Sequence, residues 1–140
     1  MSTTETPNTL IIERTFPHPP KKLWRALTES PLLAQWLLKN DFAPTPGHKF
    51  QFRAEPVPQW SGIIDCEVLI VDPLKQLSYT WASMGLTTVI LWTLTPAESG
   101  THLRMEQSGF APDNQRAYGG AKYGWQNFFN ALDRVTGGLD

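Results

Sequence analysis

The chain is short of several things at once. It has a single cysteine, Cys66, so no disulfide can form within it. Its 12 lysines and arginines nearly balance 13 aspartates and glutamates, leaving a net charge of −1. That balance offers no electrostatic footprint for nucleic acid or an anionic membrane. No stretch approaches the ~18 apolar residues of a membrane-spanning helix, and the polar start MSTTETPNT has no apolar run to act as a signal sequence. A cytoplasmic protein of one compact domain over 9–138, with a tail at 1–8, is the expectation. Charged residues are only 18% of the 140. Six tryptophans and seven phenylalanines stand in their place, and so many rings need somewhere to pack.

Periodicity says where. Leu10, Ile12, Arg14 and Phe16 alternate with Ile11, Glu13 and Thr15, the two-residue period of a strand. The segment HPPKKLWRALTES predicts a short helix with a proline in its first turn and Leu23, Trp24 and Leu27 on one face. Ser30 reads as the cap of a second short helix, LLAQWLL, burying Leu33 and Trp36. From Gly47 to Gly109 the pattern is a meander: GHKFQFR, a proline-containing loop EPVPQWSG, then IIDCEVLIV, LSYTWA, TTVILWTLT and THLRMEQS, parted by the turns DPLK and PAESG. A final helix starts near Pro112 and Asp113 and stops at Gly137 and Gly138. Six antiparallel strands and one long helix define an α+β arrangement in which the helix covers the apolar face of a curved sheet.

Alternate strand positions then face the helix. Phe50, Phe52, Leu77, Tyr79, Trp81, Ile90, Trp92, Leu103, Met105 and Gln107 are expected opposite Tyr118, Trp125 and Phe129. Arg14 shares the inward parity of its strand and needs a partner there: either a salt bridge at the end of the groove or a ligand carboxylate or carbonyl. Tyr79, Tyr118, Tyr123 and Gln107 could add polar contacts to a mainly apolar site. Gly119, Gly120 and Gly124 fall inside the ring-rich final helix, at about 1 kcal/mol each relative to alanine. Leaving room beside the rings, or letting the helix bend open at its start, would give those glycines a use, with a hollow between sheet and helix as the corollary.

Nothing else in the chain groups into reactive chemistry. His18, His48 and His102 show no metal-binding spacing, so neither metal nor cofactor is expected. Asp65 and Glu67 should share the solvent face of a strand, with Cys66, Val68 and Ile70 packed inward and Cys66 disfavoured as a thiolate by the like charge of the two acids.

Together TFPHPPKKLWRALTESPLLAQW, DPLKQLSYTW, GTHLRMEQSGF and YGWQNFFNAL make the chain resemble the activator of 90-kDa heat-shock protein ATPase homologue-like family, within the START or SRPBCC superfamily, from Leu10 to about Val135. The resemblance implies a helix-grip fold, a C-terminal helix lying across a curved sheet around an apolar cavity. Relatives of this kind include carriers of apolar ligands, plant allergens, aromatases and cyclases, and a co-chaperone domain. Where many of them resemble leucine-x-leucine-x-histidine before a glycine-phenylalanine pair, this chain has Leu103, Met105 and Gln107, which withdraws a titratable imidazole. The resulting expectation is a binder of a small apolar or aromatic molecule through Arg14, Phe50, Phe52, Tyr79, Trp81, Trp92, Met105, Gln107, Tyr118, Trp125 and Phe129. A chaperone-interaction module and, more distantly, a cyclase or hydrolase are the alternatives.

Overall fold

The computed structural model of the chain describes residues 9–58, 60–83, 85–110 and 115–139, with side chains from Gly119 onward in the last stretch. The expected tail, the helix start at Pro112 and Asp113, and the side chain of Tyr118 lie outside them. In chain order the elements are β1 (Thr9–Phe16), α1 (Pro20–Thr28), α2 (Ser30–Trp36), β2 (Lys39–Asn40), β3 (Lys49–Arg53), β4 (Ile63–Asp72), β5 (Gln76–Ser83), β6 (Leu86–Ala97), β7 (Gly100–Ser108) and α3 (Gln115–Gly137). All strands join one antiparallel sheet in the order β1-β7-β6-β5-β4-β3-β2. The first strand thus lies beside the last, and α3 crosses the concave face, packing on α1, α2 and β1.

The described sheet has seven strands where the periodicity predicted six. The extra one, β2, is only two residues long, too short to show any alternation. Side-chain bonds hold it: Asn40 Oδ1 accepts from the Phe42 N–H at 3.0 Å and from the Ser30 hydroxyl at 2.7 Å. Those bonds also explain why Ser30 is not the helix cap. The cap position falls on Glu29, which makes no side-chain capping bond, while the Ser30 hydroxyl turns to Asn40. Pro31 still sits in the first turn, where its missing N–H costs nothing.

The inward parity predicted for the strands is present except at Ile70, which is 43% exposed because the pairing of β4 with β5 shifts register between Val68 and Ile70. Pairing places Ile12, Met105, Trp92 and Leu77 in one row across β1, β7, β6 and β5, and Leu10, Gln107, Ile90 and Tyr79 in the next. Except for Ile12, all of these are buried. The opposite face carries Ile11, Glu13, Asp65, Leu69 and Thr87, all exposed. A one-residue slip would exchange the two sets, so burial itself fixes the register. The turn from β4 to β5 runs through Asp72, Pro73, Leu74 and Lys75, closed by the Lys75 N–H to the Asp72 carbonyl at 2.9 Å. It sets Leu74 at φ 69°, the left-handed region in which a branched side chain costs about 1 kcal/mol or more.

Candidate functional site

Between sheet and helix the rings form a chain. Trp81 lies 5.3 Å from Trp125 between ring centroids, Trp125 lies 5.6 Å from Trp92, and Trp92 lies 5.9 Å from Phe129. Phe129 in turn meets Phe16 at 5.9 Å and the Arg14 guanidinium at 5.7 Å. Trp36, from α2, closes edge-on against Trp92 at 5.9 Å. A second cluster sits beside it, in which Phe50 and Phe52 pack on each other at 5.2 Å and both pack on Tyr79. Phe42, from the loop before β3, meets Phe50 at 5.1 Å. Where the sequence suggested rings bordering a hollow, these rings pack on one another at aromatic contact distance, and Trp92, Tyr79, Phe52 and Phe129 are fully buried. Met105 is buried as well. The residues expected to face the interior do face it, as far as their side chains are described.

Polar groups are threaded through this apolar space without waste. The Trp125 indole N–H donates to Gln107 Oε1 at 2.8 Å, and Gln107 Nε2 donates to the Thr88 hydroxyl at 2.9 Å. That hydroxyl passes on to the Trp81 carbonyl at 3.1 Å. A buried amide left unsatisfied would cost about 1–3 kcal/mol, so Gln107 sits here because its partners were placed for it. The chain crosses three strands and α3, and it ends beside the half-buried Trp81. Elsewhere the Trp92 indole N–H donates to the Tyr79 hydroxyl at 3.0 Å. Burial pushes that phenol well above its ordinary range. The Cys66 thiol is also pushed far up, first by burial and then by the charges of Asp65 and Asp41, which makes it inert as a nucleophile.

The salt bridge expected as one partner for Arg14 is not formed among the described residues. The Arg14 guanidinium donates to Asn130 Oδ1 at 3.0 Å and lies over the rings of Phe16 and Phe129, with no carboxylate partner among the described residues. It is part of a clamp on the C-terminal half of α3. One turn further, Asp133 Oδ1 lies 2.7 Å from His18 Nε2. The other two histidines also sit in local contacts, His102 with Glu13 at 2.8 Å and His48 with the Asp41 carbonyl at 3.0 Å. Tyr123 is 72% exposed and takes no part in the interior, because α3 turns that position outward. Among the described residues, a β-carbon built on Gly119, Gly120 or Gly124 would meet nothing within 4 Å. Close packing is therefore not what demands glycine at these positions.

Sequence reasoning missed Thr88, Phe42 and Asn130, and it predicted Trp36 buried without bringing it to the ring chain. Thr88 shares the parity of Ile90 and Trp92, and Asn130 adjoins Phe129, so both carried a signal. Phe42 follows a two-residue strand in an irregular segment and carried none.

A long C-terminal helix gripped by a curved antiparallel sheet, with an aromatic interior threaded by a few satisfied polar groups, defines a helix-grip protein of the START or SRPBCC class. The family model described as activator of Hsp90 ATPase homolog 1-like protein matches residues 17–137, and the chain belongs to that family. A crystal structure of protein MLL2253 from Mesorhizobium loti is 52% identical, with TM-score 0.88, over 94% of this chain and 98% of that one. DynU16, a protein of the dynemicin biosynthetic locus, is 24% identical with TM-score 0.80, over 94% of this chain but 48% of its own. CalU16 from Micromonospora echinospora is 17% identical with TM-score 0.77, over 91% and 75%. The last two likenesses speak to fold alone. No curated protein matches the chain.

Proposed function

We propose that the protein binds a small, flat, largely apolar or aromatic molecule between the sheet and the N-terminal half of α3, without chemistry on it. One observation carries this reading. The ring chain is fully buried at Trp92 and Phe129 but ends in half-buried Trp81 and Phe128, beside a helix stretch whose glycines face open space. At that end the rings are held by tilted and edge-on ring contacts and by the Gln107 contact to Trp125. A ligand ring would enter by displacing Trp81 or Phe128 and would stack in its place, gaining apolar burial and an edge contact in exchange for the one it breaks. Gln107 is the near polar anchor for the ligand's hydrophilic end, and Arg14 lies at the far end of the chain.

Titrating naphthol, indole and a flavone while following tryptophan fluorescence tests the proposal. Saturable quenching that weakens in Gln107→Leu is expected; a flat response to all three compounds rules it out. Gly124→Ala supplies a second reading, since it stiffens the helix without filling space and should slow association. Stimulation of a chaperone ATPase, as in the family's description, is the competing reading, and measuring that turnover with and without the protein separates the two.

A further inference from the structure

A recess of about 670 Å³ opens on the face of the sheet turned away from α3, and nothing in the interior reading accounts for it. Its base is outward-facing β4, β5 and β6, where Asp65 stands directly across from Ala82 and Ala82 from Thr87. The loop between β3 and β4 supplies Trp60 and Ser61 as one wall, and the β5–β6 hairpin supplies Ser83 as the other. We propose that this recess is a binding site for a small organic cation, an ammonium, amidinium or guanidinium carried on a compact body.

The reason lies in how Asp65 is held. Its Oδ1 accepts from Gln51 Nε2 at 2.9 Å, and Gln51 Oε1 accepts from the Arg53 guanidinium at 3.2 and 3.4 Å. Gln51 thus stands between Asp65 and Arg53, whose guanidinium bonds to the amide rather than to the carboxylate. Among the described residues Asp65 has no ion pair, so its charge stays unneutralised while its orientation is fixed. A second recess of about 450 Å³ on its other side, lined by Asp41 and Lys49 among others, leaves the carboxylate flanked by open space. Trp60 completes the pair of features that cations select, an anionic oxygen and an aromatic wall. Its indole nitrogen is buried with no hydrogen-bond partner among the described residues, and the ring packs against the core. Ser61, Ser83 and Thr87 offer hydroxyl acceptors for the remaining N–H groups.

Benzamidine, benzamide and benzoate share one shape and differ in charge, which makes them the discriminating probes. Nitrogen-15 NMR titration of the whole chain should show saturable shifts at the Trp60 indole N–H and at the amides of Ser83 and Thr87 with benzamidine, and none with the other two. Asp65→Asn should weaken that binding about tenfold, the loss of one charge-assisted contact. Ala82→Lys, which sets an internal ammonium across from Asp65, should abolish it while leaving the rest of the spectrum intact. Benzamide binding as tightly as benzamidine overturns the proposal, as does an unchanged affinity in Asp65→Asn. So does a response confined to the Trp125 indole, or the absence of saturable shifts with benzamidine, agmatine and choline alike.

Discussion

The two halves of α3 are built to opposite rules. From Trp125 onward the helix buries Trp125, Phe129, Leu132 and Thr136 almost completely, and polar contacts tie it down, Trp125 to Gln107, Asn130 to Arg14 and Asp133 to His18. The Thr136 hydroxyl returns to the Leu132 carbonyl at 2.7 Å, satisfying itself inside the helix. Before Trp125 the described side chains are glycines over open space, half-buried Ala121, and the exposed Lys122 and Tyr123. Helical stability in a protein comes mainly from packing of one face, so the second half can carry the first. The difference shows how a fold keeps one end of a helix fixed while leaving the other cheap to deform.

Breaking the fixed half should have the largest effect. Phe129→Ala removes the ring that joins Phe16, Trp92 and Arg14, and should lower unfolding free energy by about 3–5 kcal/mol in urea titration. Gln107→Leu strands the Trp125 indole N–H and should cost about 1–3 kcal/mol by the same measurement, whereas Gln107→Glu keeps an acceptor but buries a charge and should cost more.

Sharpening the contrast from the loose side, Gly120→Ala should raise stability by about 1 kcal/mol, because the new methyl meets nothing and only helix propensity changes. If the stability falls instead, that half of α3 is not relaxed in the way described. Asp133→Asn should change stability least, by less than about 1 kcal/mol, since this carboxylate is 45% exposed.

An alkaline titration addresses the interior as a whole. Tyr79 ionises ordinarily near pH 10 and is pushed up by burial, so the folded state holds its proton after the unfolded state has lost it. The contribution is constant below about pH 10 and falls as pH rises beyond it. Denaturation midpoints should decline above that point, and Tyr79→Phe should flatten the decline.

Much of this was legible before any coordinates. Strand parity placed Phe50, Phe52, Tyr79, Trp81, Trp92, Met105 and Gln107 on the helix-facing side because a period of two has only one alternative, and burying polar Glu13, Asp65 and Glu67 would have been prohibitive. What stayed hidden depends on bonds rather than on pattern. Asn40 builds β2 by gathering Ser30 and Phe42, and no periodicity announces that. The filling of the interior was hidden too, since parity says which way a ring points but not whether its neighbour reaches it. Leu74 occupies a position where glycine would have been the obvious signal of the turn. The recess beside Asp65 joins a loop, a hairpin and three strands, so no local stretch records it.

The pairing of β1 with β7, Thr9 against Ser108 through Phe16 against Thr101, also shapes how the molecule is made. A nascent chain halted on the ribosome before Gly100 would hold its opening strand with nowhere to dock, and Phe16 and Arg14 would wait for Phe129 still longer. Closure of the sheet therefore waits for β7, and β1 docks only after every other strand of the sheet has been made.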